Sequence, residues 1–141
     1  MKKTSFLFLT SILIAAGAMA EMPLLAPGMP PSQVVPDGGI VEDWGAINLQ
    51  LTAPEGAQVA QQTYDASGAP TAVTVKTAGP VTLTETAYRA PIWPDGVDVL
   101  EAVISNNGDT PQPATVEMVL PDGASIGERV AALGGRTILA L

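Results

Sequence analysis

From Gly45 onward the chain alternates apolar and polar positions with the period of a β-strand. Ile47, Leu49 and Leu51 alternate with Asn48, Gln50 and Thr52, which predicts a half-buried strand ended by Pro54-Glu55-Gly56. A weaker strand is expected from Gln58 to Tyr64, closed by Asp65-Ala66-Ser67-Gly68. Thr71 to Thr77 alternates again, with Val73 and Val75 on one face, and Gly79-Pro80 separates it from the β-branched run Val81 to Tyr88. After Pro91-Ile92-Trp93-Pro94-Asp95-Gly96 comes Val97 to Ser105, the most apolar of these segments and hence the expected centre of a sheet. Asn106-Asn107-Gly108-Asp109 marks a turn. Ala114 to Leu120 is the next strand, and Pro121-Asp122-Gly123 stops it. Arg129 to Leu133 and Arg136 to Leu141 flank Gly134-Gly135, a two-residue link of hairpin type. No part of this region sustains the helical period of 3.6 residues. Seven or eight short strands with frequent turn signals define an all-β fold, an antiparallel β-sandwich.

The residues before Gly45 read differently. Residues 21–44 contain Pro23, Pro27, Pro30, Pro31 and Pro36, and proline resists both helix and central strand. This stretch is expected to be a Pro/Gly-rich arm or linker, pinned to the domain by Trp44, with 45–141 as the folded unit. Residues 1–20 have another character: Lys2 and Lys3, an apolar stretch from Phe6 to Ala16, then Ala18-Met19-Ala20 before Glu21. That is the layout of a signal peptide cleaved before Glu21. It predicts Sec-type export from a bacterial cytoplasm to a secreted, periplasmic or cell-surface location. The apolar run is shorter than the roughly 20 residues of a membrane span, so no stable membrane insertion is expected after cleavage.

Removing residues 1–20 changes the charge. Four basic side chains (Lys76, Arg89, Arg129, Arg136) then face 14 acidic ones, a balance of −10. Such a field repels phosphate backbones, so nucleic acid is excluded as a partner. There is no cysteine, so the domain must hold itself together by its core.

Val99-Leu100-Glu101-Ala102-Val103-Ile104-Ser105-Asn106-Asn107-Gly108-Asp109, with Ala114 to Gly123 and the closing Gly134-Gly135-Arg136-Thr137-Ile138-Leu139, resembles the immunoglobulin-like domains of bacterial surface and secreted proteins. Those domains carry an apolar strand ending in Asn-x-Gly, a variable loop, a strand and then Leu-Pro-x-Gly. The resemblance spans residues 97–141. It implies an immunoglobulin-like sandwich of the kind used as spacer, adhesion or accessory module, and its motifs are turn chemistry, which specifies fold better than function.

The chain has no histidine or cysteine, which removes the usual general base, the Ser/His and Cys/His nucleophiles and the common zinc sites. Its carboxylates fall on turns and strand faces where solvation is expected, and nothing pairs Lys76 with a serine. The chain therefore reads as a non-enzyme without a cofactor. Calcium is the metal worth weighing: Asp95, Asp98, Asn107 and Asp109 place oxygen donors in or beside loops, although Asp-Gly is also ordinary turn chemistry. Trp93, near Tyr88 and Arg89, is the candidate ligand-binding group, able to stack a sugar ring or anchor a protein. The alternative is that Trp93 folds back as a lid over the core, which the average burial of large aromatics favours.

Two functions follow as expectations. One is a non-catalytic secreted or surface module that binds or supports an envelope component, carbohydrate or another envelope protein. The other is a self-assembling structural subunit of the envelope, a homo-oligomer joined through the N-terminal arm.

Overall fold

A computed structural model describes residues 22–141; the expected signal peptide lies outside them. All regular structure among these residues is β, in antiparallel sheets, consistent with a β-sandwich. The first sheet is built from β1 (Met22–Leu24), β2 (Ser32–Val34), β3 (Ile40–Glu42), β4 (Gly45–Thr52) and β9 (Thr115–Val119), in the order β1-β2-β3-β4-β9. The second is the meander β5 (Gln58–Asp65), β6 (Thr71–Ala78), β7 (Val81–Ala90) and β8 (Val97–Asn106). A small third sheet holds β10 (Ser125–Ile126), β11 (Val130–Leu133) and β12 (Arg136–Ala140), with Gly134-Gly135 linking the last two.

The stretch expected to be an arm is part of the fold. Residues 22–44 supply β1–β3, and the prolines sit where they cost little: Pro23 in a three-residue edge strand, the rest in connections. Leu24 and Val34 are among the most buried side chains, packed with Ile40 on one side and with Ala72 and Ala87 of the second sheet on the other. Fully burying one such leucine contributes on the order of 2 kcal/mol. A second cluster, Leu49, Leu51, Ala78, Val81 and Leu83, fills the other end of the interface between the sheets.

Every strand expected after Gly45 is present. β6 turns Ala72, Thr74, Lys76 and Ala78 to the core, leaving Val73 and Val75 on the half-buried outer face. β8, expected at the centre of a sheet, lies at its edge.

Candidate functional site

The two sheets close on one side and stand open on the other. Along β7 every second residue from Val81 to Arg89 is buried. Register carries the same inner face onto β8, where Arg89 faces Asp98, Ala87 faces Leu100, Glu85 faces Ala102 and Leu83 faces Ile104. Asp98 and Leu100 are half-buried, whereas Ala102 and Ile104 are exposed, Ile104 by 51%. The opposing sheet repeats this at its own edge. Leu49 and Leu51 of β4 are buried, while their partners Met118 and Val116 on β9 are open to solvent. Inward-facing apolar residues of both sheets are thus uncovered along the seam between β8 and β9. A cleft of about 760 Å³ opens there, floored by Ile40, Ile47, Leu49 and Leu100 and flanked by β12 residues Ile138 to Ala140.

At one end of the cleft a buried charge cluster fixes the geometry. Arg89, on the inner face of β7, directs Nη1 to Glu42 Oε1 (2.8 Å) and to Asp98 Oδ1 (2.7 Å), and donates from Nη2 to the Asp95 carbonyl (2.7 Å). Ser32 Oγ donates to the same Asp98 oxygen at 2.7 Å. The loop after β7 wraps over this guanidinium: Ile92 N–H donates to the Ala90 carbonyl and Gly96 N–H to the Ile92 carbonyl. Only glycine fits at position 96, where φ is +85° and a Cβ would lie 2.7 Å from Arg89 Nε. This wrapping lifts Trp93 outward to 83% exposure. Desolvation raises the Glu42 carboxyl above its ordinary value, and the neighbouring Asp98 adds to this against the opposing pull of Arg89.

A second buried pair lies deeper between the sheets. Lys76 Nζ stands 2.7 Å from Glu85 Oε1, with both side chains almost fully buried, and donates to Asn48 Oδ1 at 3.0 Å and to the Leu49 carbonyl. Among the described residues Glu85 Oε2 has no hydrogen-bond partner. The turn Asp37-Gly38-Gly39 abuts it so closely that a Cβ on Gly38 would come within 2.3 Å of that oxygen. Burial raises the Glu85 carboxyl, with Lys76 opposing and Asp37 adding. These carboxylates correct the expectation that the acidic groups are solvated: Glu85 is 1% exposed, and Lys76 neutralises it.

The sequence candidates are only partly brought together. Trp93 and Arg89 both line the cleft, joined by Trp44. Tyr88 belongs to the outer face of β7, opposite to its neighbour Arg89, and is separated from them. Trp93 is no lid, and Arg89 is a buried structural cation before it is a ligand contact. The four calcium candidates do not converge. Asp95 and Asp98 stand at the start of β8 and Asn107 and Asp109 beyond its end, a separation of roughly 30 Å at strand rise. Asp98 is committed to Arg89 and Ser32, and Asn107 donates to Thr82 Oγ1. Among the described residues no group of three acidic side chains could share an ion. The seam itself escaped sequence reasoning, although the apolar composition of β8 was its trace.

No family model, curated protein or solved structure matches the chain. What stands established is the class: an all-β chain of antiparallel sheets.

Proposed function

We propose that this chain is a non-catalytic, immunoglobulin-like module of an extracytoplasmic compartment, which binds an envelope component through the open side of its two sheets. One observation carries the reading: the exposed Trp93, beside Trp44, at the mouth of an apolar cleft with polar groups at its end. Such a combination of apolar lining and a few placed polar groups is what binding sites share. The signal-like first twenty residues, the balance of −10 and the lack of histidine and cysteine support the compartment and the non-catalytic role. Arrays of cell-wall polysaccharides and pull-downs from envelope fractions test it, comparing the natural chain with Trp93→Ala. Retention of a component by the former and not the latter is expected. Finding no ligand, together with turnover of any substrate, would sink the proposal.

Catalysis by paired carboxylates is the second reading, because Glu42 and Asp98 meet in the cleft and Glu42 has a raised pKa. Against it, both carboxylates are engaged by one guanidinium, as a buried cation requires. Glu42→Gln separates the two: it abolishes turnover if the pair is catalytic and spares Trp93-dependent retention if it is structural.

Against self-assembly through the N-terminal arm stands the engagement of its strands β1, β2 and β3 within the first sheet.

A further inference from the structure

The edges of the two large sheets are not treated alike. β5 carries a register shift between Val59 and Gln61 and a polar sequence, Gln-Val-Ala-Gln-Gln-Thr-Tyr-Asp. β1 has three residues, one of them proline. Both are the usual defences of an edge against unwanted pairing. β8 has none of them. It runs ten residues without a register shift, reads Val-Asp-Val-Leu-Glu-Ala-Val-Ile-Ser-Asn, and has no strand on its outer side among the described residues. Its exposed large apolar residues are Val97 by 43%, Val103 by 59% and Ile104 by 51%, and of these Ile104 lies on the face turned to the seam.

The rim of that seam is negative. Arg89 faces both Glu42 and Asp98, and Arg136 faces both Asp43 (3.4 Å) and Asp95 (3.9 Å), so each guanidinium is outnumbered two to one. Glu101 on β8 and Glu117 on β9, exposed on the outer faces of the two edge strands, add to the surplus around it. A second copy of this chain would bring the same sign of charge to this rim.

We propose that the seam receives an extended segment of another polypeptide, which pairs through its backbone with the free edge of β8, seats alternate apolar side chains between Ile104 and Met118, and is basic at its flanks. Main-chain pairing supplies affinity, alternate side chains supply specificity, and the acidic rim steers the basic flanks. The inference rests on the cleft being the binding surface and names the class of partner it takes.

The test uses the signal-free chain and three synthetic peptides. The first has two lysines, three Val-Thr repeats and two lysines; the second has glutamates for the lysines; the third has proline for each threonine. Trp44 and Trp93, the only tryptophans, both line the cleft, so intrinsic fluorescence reads occupancy directly. Saturable 1:1 binding of the lysine-flanked peptide is expected, at least about tenfold tighter at low salt than the glutamate-flanked one. The proline peptide is expected to bind at least about tenfold more weakly, because three of its backbone donors are gone and proline resists regular strand pairing. Ile104→Lys, on the seam face, is expected to weaken binding by about tenfold or more, whereas Val103→Lys, on the outer face of the same strand, weakens it far less. Both positions are half exposed, and an unchanged melting temperature confirms that each variant folds. No saturable signal, equal affinity for both charged peptides, or indifference to Ile104→Lys overturns the proposal. So does a homodimer in light scattering that Ile104→Lys dissociates, which would make a second copy the occupant. If the peptides fail while Trp93-dependent retention on envelope fractions persists, only the strand inference falls. If both fail, the reading of the cleft falls with it.

Discussion

At Glu85 and Lys76 a polar pair occupies positions that alternation alone would give to valine. Thr71 to Thr77 alternates cleanly, with Val73 and Val75 on one face, and the inner face is the other one, Ala72, Thr74, Lys76 and Ala78. Alternation fixes which residues share a face; which face is inward depends on what stands opposite. Here the opposite sheet brings Asn48 and the Leu49 carbonyl to meet Lys76. Removing one member should leave a buried charge without compensation. Glu85→Ala is therefore expected to destabilise by roughly 3–5 kcal/mol in urea unfolding, while the double change Lys76→Met with Glu85→Leu is neutral or stabilising. Gly38 is bound to the same spot by its φ of +88° and its approach to Glu85 Oε2, so Gly38→Ala should cost about 1–3 kcal/mol by the same measurement. The acidity of these groups adds a pH signature. Glu42 and Glu85 are both raised above 4.5 by desolvation, so the folded state holds their protons more tightly than the unfolded chain does. Their contribution to stability is full below the unfolded value and lost as pH rises through the folded values. The melting temperature should consequently climb as pH falls through the folded values toward 4.5, and Glu85→Gln should flatten that climb in calorimetry.

Strands that carry their own alternation were legible one by one. β4 through β9, β11 and β12 are all where residue patterns place them, because each has turn chemistry at its ends. β1, β2 and β3 were not, since three residues are too few to show a period and prolines surround them. Their signal was the spaced apolar residues Leu24, Val34 and Ile40, which acquire meaning only when the second sheet covers them. Deleting residues 22–38, which removes β1 and β2, should therefore unfold the domain outright, with loss of the cooperative transition in circular dichroism, and not merely release an arm. The apolar composition of β8 predicts a strand, which it is, and a central one, whereas it lies at the edge. An edge that keeps a central strand's composition is how an incomplete sheet looks in one dimension, and sequence supplies no neighbour to reveal it.

For the whole molecule, closure on one side and opening on the other decide what it can do. Trp93 was legible as a candidate, and Arg89 with it, because the two stand close together around one loop; Trp44 was not, because it reaches the cleft from the distant turn between β3 and β4. The oxygen donors proposed for calcium end up at opposite ends of β8, so millimolar calcium should leave both the melting temperature and the light-scattering mass unchanged. A calcium-dependent shift of several degrees would show that the two ends meet in some other arrangement.

The unguarded β8 edge also bears on how the protein behaves as a colloid. At low ionic strength the surplus of negative charge acts over about 30 Å, keeping sticky seams of neighbouring molecules out of reach of one another. At molar salt that range shrinks to about 3 Å, and the same surface meets its neighbours with little warning. Acidity here acts as a dispersant, giving each molecule the time to meet a basic strand before it meets itself.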